Sequence, residues 1–194
     1  MDLVLIGAHA AGKTTLGRRV AMLCDVPFRG EIGRELAADS RWRPGTVAAD
    51  IAQERFDAEV MRRELARDLC DATVNARIVE TWHPGNLAYA ELRSPAVVER
   101  WWHEVVEACR LRPVVVQPLT ATMRTLCRRR SEPGSVGFFA EVGRRARAIA
   151  ERLSLATLPV IHTDSCTVEH AAEVIRQRYL AHMARAQRDS TTQH

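Results

Sequence analysis

One lysine, Lys13, stands in a chain whose every other strongly basic side chain is arginine. It lies within Gly7-Ala8-His9-Ala10-Ala11-Gly12-Lys13-Thr14-Thr15, straight after the apolar run Leu3-Val4-Leu5-Ile6. Keeping lysine at this position alone points to a need for a compact ammonium on a flexible stem. The spacing Gly-x-x-x-x-Gly-Lys-Thr is that of a phosphate-binding loop, the P-loop or Walker A motif. Its glycines let successive backbone N–H groups turn inward around phosphate oxygens. The lysine then reaches the outer phosphates, and the Thr14 hydroxyl can ligate Mg2+. A helix beginning near Lys13 adds the positive end of its dipole. All nine residues from Gly7 to Thr15 are therefore candidates for holding a nucleotide.

Two carboxylates extend this chemistry. Glu31 ends a second predicted strand and Glu80 a third. Ligands of an open α/β sheet gather at the carboxyl ends of its strands, so both side chains are directed toward the loop. One carboxylate can hold Mg2+ directly or through water, and the other can accept the proton of an attacking hydroxyl. Glu80 is assigned to the metal with Thr14, because it ends an apolar strand beside the loop. Glu31 is the candidate base, with Asp57 on a long helix as a substitute; either glutamate could instead be a strand-end carboxylate tied to an arginine or a helix N-terminus. Arg34, three residues past Glu31, could orient a hydroxyl or a substrate phosphate through bidentate contacts, or simply pair with Glu31 or Glu35. Trp82 and His83, just past Glu80, could stack on or hydrogen-bond an acceptor ring, or pack in the core. Gln53 and Phe56 on the long helix could line an acceptor pocket or face the core.

Arginines cluster at Arg128-Arg129-Arg130 and again at Arg144-Arg145 and Arg147. Alone, such runs read as solvated helix faces. Here they flank the tip Ser131-Glu132-Pro133-Gly134-Ser135-Val136-Gly137, between a helix from about Ala121 to Arg130 and a second helix. That layout suits a lid over about 124–147 that closes on a triphosphate. Guanidinium groups brought in by closure would stabilise the charge spread over a moving phosphoryl group. Arg124 and Arg128, one turn apart, and Arg130 at the helix end are the candidates for phosphate contact, with Arg128 given the catalytic role.

The elements that must position these groups alternate along the chain. Strands are expected at Asp2 to Ile6, Pro27 to Glu31, Arg77 to Glu80, Pro113 to Gln117 and Leu158 to His162. The clearest helix runs from about Thr46 to Cys70, with Val47, Ile51, Ala58, Met61, Leu65 and Leu69 as its apolar repeat. Another starts after Thr167 as N-cap and carries Val168, Ala172, Ile175, Tyr179 and Met183 on one face. Strands separated by helices pair in parallel through right-handed crossovers, giving a three-layer α/β sheet. At 194 residues and 46% hydrophobic content, one domain over 1–185 is expected, followed by a frayed polar tail over 186–194.

Composition removes several classes of function. A net charge of +4 and 5% aromatics form no basic stripe with interleaved rings, so no nucleic-acid partner is expected. No leader pattern or long apolar run appears, so a soluble cytoplasmic protein with no membrane contact is expected. Five cysteines are scattered singly, without Cys-x-x-Cys, which indicates neither a disulfide frame nor a zinc site. Trp101-Trp102 could form an apolar patch or turn into the core, and a homodimer through the long helix stays open.

From Gly7 to Asp164 the order of these features resembles the small P-loop kinases of nucleosides, nucleotides and related molecules. Glu31-Ile32-Gly33-Arg34-Glu35 is similar to the acidic and arginine motif of ribosylnicotinamide-kinase-like and deoxynucleoside-kinase-like proteins, where the carboxylate serves the acceptor hydroxyl. The resemblance implies a P-loop NTPase fold with a five-stranded parallel sheet of order 2-3-1-4-5. It also implies ATP and Mg2+ as cofactors, a small-molecule acceptor, and a loop at Thr163-Asp164 near the adenine. Glu80-Thr81-Trp82-His83 departs from the Asp-Arg-Ser-like element usual after strand three in deoxynucleoside kinases. A nucleotide-binding switch or an ATPase acting through a protein partner is the competing expectation. Its guanine-specific form needs an Asn-Lys-x-Asp element, which a chain with Lys13 as its one lysine lacks.

Overall fold

The computed structural model describes residues 1–39, 49–129 and 136–191. At the centre of its sheet lies β1 (Asp2–Gly7), paired in parallel with β3 (Ile78–Glu80) on one side and β4 (Val114–Thr120) on the other. Strand β2 (Phe28–Arg29) adds to β3, while β5 (Ala156–Thr157) and β6 (Ile161–His162) follow each other along the far side of β4. The order is β2-β3-β1-β4-β5, with every pairing parallel, as expected.

Alternation along β1 sorts the core into two layers. Leu3 and Leu5 pack with Leu16 and Val20 of α1 (Lys13–Cys24) and with Ala172, Ile175 and Tyr179 of α8 (Val168–Thr191). Val4 and Ile6 face the other way. They meet Met61 of α3 (Ala49–Cys70), Leu87 of α4 (Trp82–Arg93), Val105 of α5 (Pro95–Leu111) and Ile149 of α7 (Val136–Arg152). These four strand residues are at most 1% exposed, and each such burial contributes about 1.5–3 kcal/mol. Trp101 and Trp102 are half-buried against this second layer, with the Arg152 guanidinium 4.4 Å from the Trp102 ring centre, so they form no open patch.

Edges differ from expectation in instructive ways. Strand β2 stops at Arg29, because Glu31 is already the residue capping α2 (Ile32–Ala38). The last strand is split: Pro159 has no N–H for the ladder, and its carbonyl accepts instead from the Gln117 side-chain amide at 2.9 Å. Helix α8 starts as expected, with the Thr167 hydroxyl accepting from the His170 N–H at 3.2 Å, but it continues to Thr191, past Ala186.

The long helix is the largest correction. Ile51 and Leu69, expected inside, are exposed, and the buried stripe of α3 is Asp57, Val60, Met61, Glu64 and Asp68. Val47 lies outside the described residues. Carboxylates occupy core positions here because each finds a cation or a donor. Fully buried Arg77 donates to Asp2 at 2.8 Å, to Asp71 at 2.9 Å and to Asp68. Burial alone would lower the pKa of Arg77, but the bonds to Asp2 and Asp68 outweigh it and hold the guanidinium firmly charged. Arg112 adds a second cation to Asp2 at 2.8 Å. One ionic hub thus ties the starts of β1, β3 and β4 to the end of α3. None of the five cysteines is disulfide-bonded, and no helix among the described residues is long and apolar enough to cross a membrane.

Candidate active site

The loop after β1 takes its shape from two glycines. Gly7 has φ +147, and a Cβ there would lie 2.3 Å from the Leu119 carbonyl oxygen; Gly12, with φ +95, caps α1 in the left-handed region. Lys13 is 5% exposed, and its ammonium donates to the carbonyls of Gly7 at 3.0 Å and Ala8 at 3.2 Å. The register pairs Leu5 with Glu80, which brings the strand-end carboxylate beside the loop. The Thr14 hydroxyl lies 2.9 and 2.8 Å from the two Glu80 oxygens. These are hard oxygen donors of the kind Mg2+ takes, and Glu80 is only 1% exposed.

Arg34 closes this cluster. Its guanidinium donates to the Thr14 hydroxyl at 3.0 Å, to Glu80 at 3.0 Å and to Glu31 at 3.3 Å. Partial burial opposes its charge, but Glu80 and Glu31 together raise its pKa above the ordinary arginine value.

A cavity of about 390 Å³ opens over the loop. Thr14, Arg34 and Glu80 line one wall; Arg129, Thr163 and Cys166 line the other. Arg129, at the end of α6 (Met123–Arg129), donates to the Thr163 hydroxyl and carbonyl at 3.0 Å each and to the Ala10 carbonyl at 3.3 Å. Arg124 and Arg128, exposed as Arg129 is, are not among the residues lining this cavity. Arg130 and the expected lid tip over 131–135 lie outside the described residues. Asp164 turns toward α6 and accepts from the Thr122 N–H at 2.8 Å, which keeps its carboxyl below the usual range.

A second cavity, about 260 Å³, adjoins the first between α2, α3, α4 and α7. Glu31 and Arg34 stand at its P-loop side, and Phe56, Tyr89 and Phe139 give it aromatic walls. Among the described residues His9 and Arg34 line both cavities, and the His9 and Phe139 rings are 5.2 Å apart. Asp57 lies in this wall with Arg93 and Gln53 on one oxygen and Ser94 on the other at 3.0 Å. Burial pushes the Asp57 pKa up against the opposing pull of Arg93 and Ser94. Behind the wall, buried Glu64 accepts from Asn86 at 2.9 Å and pairs with Arg67, which donates to the Gly30 carbonyl at 2.7 Å. The backbone leading into Glu31 is thereby fixed from α3.

Trp82 and His83 do not reach either cavity. Both are fully buried, with the Trp82 indole N–H 3.1 Å and the His83 Nε2 2.7 Å from the Asp68 carboxylate. Thr81 and Trp82 have φ of 72 and 47, so the chain turns sharply after Glu80 and swings both rings toward α3. Asn86, Tyr89, Arg93, Arg129 and Phe139 were not anticipated. Only Arg129 carried a signal, as the middle member of the arginine run.

The parallel sheet of order 2-3-1-4-5 flanked by helices matches the fold of solved P-loop small-molecule kinases. No protein-family model matches the sequence, and no curated protein matches it significantly. Solved structures do. Deoxyadenosine kinase from M. mycoides with products dCMP and dCDP matches at a TM-score of 0.70, with 10% identity over 93% of this chain and 100% of that one. NadR protein in complex with NR matches at 0.65, with 16% identity over 91% of this chain. This chain spans 50% of the length of that NadR chain. YorR from Bacillus subtilis, in complex with phosphorylated GDP, matches at 0.58 with 16% identity over 94% of this chain and 98% of that one.

Proposed function

We propose that the protein is an ATP-dependent phosphotransferase that moves a γ-phosphoryl group to a hydroxyl or phosphate of a nucleoside- or nucleotide-like small molecule. The observation that carries this reading is the junction of two cavities: one on the P-loop, one walled by aromatic rings and entered past Glu31 and Arg34. A hydrolase or switch needs the first cavity alone; a transferase needs both. NadR in a complex with NAD and AMP-PNP offers a precedent for a triphosphate on this fold.

In this reading the P-loop amides and Lys13 hold the β- and γ-phosphates, and Arg129 with Thr163 borders the rest of the nucleotide. Thr14 and Glu80 are the residues that would hold Mg2+, which, when bound, offsets charge shared by the β- and γ-phosphates. Glu31 accepts the proton as the acceptor oxygen bonds to phosphorus and the bond to the ADP oxygen breaks. Aromatic side chains of the second cavity hold a planar acceptor and keep water from the phosphoryl group. The test is consumption of Mg2+·ATP across nucleosides, nucleoside monophosphates and other hydroxylated compounds. Turnover tied to one acceptor class supports the proposal. Slow hydrolysis independent of acceptor contradicts it.

A further inference from the structure

Arg34 stands where two cations cannot. Its guanidinium lies 3.0 Å from both the Thr14 hydroxyl and a Glu80 oxygen, the same two groups whose chemistry suits Mg2+. An octahedral Mg2+ requires oxygens at about 2.0–2.1 Å. A divalent ion that close to Thr14 and Glu80 would repel a guanidinium sharing the same oxygens. Nor is Arg34 locked in place. Its side chain is 49% exposed, against 0% for Arg77 in the ionic hub. It also lines the second cavity and holds Glu31 at 3.3 Å, so rotation about its own side-chain bonds keeps one carboxylate partner while releasing the other.

We propose that Arg34 is a place-holding cation, occupying the metal position until Mg2+·nucleotide displaces it toward the acceptor cavity. Before exchange it neutralises buried Glu80 and holds Thr14 and Glu80 in register. After exchange it stays on Glu31 and presents its donors to the acceptor. Seating the donor therefore arms the acceptor site through one side chain, a coupling between sites that needs no domain movement. This rests on the nucleotide-binding reading above.

The test uses Mg2+ and AMP-PNP alone, without an acceptor. Calorimetric titrations give the Mg2+ concentration at which AMP-PNP binding is half-enhanced in wild type, R34M and R34K. The expected midpoint is about tenfold lower in R34M, where nothing competes for the position, and near wild type in R34K. Equal midpoints in wild type and R34M would overturn the proposal while leaving nucleotide binding intact. A wild type that binds no AMP-PNP, with or without metal, would instead defeat the nucleotide reading itself. General charge removal is separated from exchange by the 15Nε–1H signal of Arg34, assigned by its loss in R34K. That signal should move on adding Mg2+ to the AMP-PNP complex; if it stays in place, the exchange is refuted whatever the midpoints do.

Discussion

Helix α7 touches the phosphate loop at Gly143, and this contact yields a sharp prediction. A Cβ added at Gly143 would lie 2.7 Å from the Ala8 amide nitrogen and 3.3 Å from the Ala8 Cα and the Gly7 carbonyl carbon. These are backbone atoms with no rotamer to yield. Restoring ordinary contact requires loop or helix to move by about 0.7 Å, an overpacking that typically costs about 1–3 kcal/mol. Replacing a helical glycine by alanine returns up to about 1 kcal/mol of helix propensity. The net loss for G143A is thus about 1 kcal/mol, a Tm lower by about 2–4 °C for a chain of this size. Function should suffer more than stability, since the displaced amide belongs to the phosphate cradle. Misplacement on this scale costs roughly 10- to 100-fold in kcat/KM. G137A on the same helix is the control, because no atom of the described residues lies within 4 Å of a Cβ there, and it should match or slightly exceed wild-type Tm with unchanged AMP-PNP affinity. Calorimetric AMP-PNP titrations and thermal melts of the two variants decide the matter. If G143A behaves like G137A in both assays, the packing of α7 on the loop does not shape the cradle.

K13A should lose at least about 100-fold in Mg2+·ATP turnover with Tm within about 2 °C, since among the described residues the ammonium bonds to the carbonyls of its own loop; an active K13A would contradict its role. R129A should weaken AMP-PNP binding about tenfold or more in calorimetry, whereas R128A should leave it unchanged; the reverse pattern would restore Arg128 to the site. D68A removes the common acceptor of Arg77, Trp82 and His83, so a loss of about 3–5 kcal/mol should appear in urea unfolding, and a loss below about 1 kcal/mol would refute the hub. The hydrogen bond from Arg29 holds the Asp71 carboxyl near about 2, below an ordinary value of 3.8. Because its folded-state pKa is depressed, its contribution is complete above about pH 4 and fades as pH falls toward 2. In D71N the melting temperature should therefore start lower at neutral pH and decline less steeply over that window; parallel declines in the two proteins would count against the assignment.

Much of the architecture was legible because strong local rules agreed. An apolar strand, a glycine loop, a lysine and a helix in immediate succession leave little freedom at Gly7 to Thr15. Alternating strands and helices then force parallel pairing with Glu80 beside the loop. What escaped depended on helix phase and on partners distant in sequence. A one-residue shift in where α6 faces the loop exchanges Arg128 for Arg129. On α3 the exposed Ile51 and Leu69 masked a stripe of Asp57, Glu64 and Asp68 that is buried because Arg93, Asn86 and Arg77 arrive from elsewhere in the chain, with Arg67 of the same helix adding a cation to Glu64. Trp82 and His83 read as site residues from their place at a strand end. Two consecutive positive φ angles turn them inward, and neither Thr81 nor Trp82 announces that conformation. The second cavity draws on α2, α3, α4 and α7 together, so no local stretch could have outlined it.

The central claim is that a donor on the P-loop passes its phosphoryl group to an acceptor in the adjoining cavity. It is tested most directly by following 32P from [γ-32P]ATP with Mg2+ into each member of an acceptor panel, with K13A alongside. Label transferred to one class of nucleoside-like compound, and lost in K13A, is the predicted result. Label released only as inorganic phosphate, at the same slow rate with every compound, would contradict it.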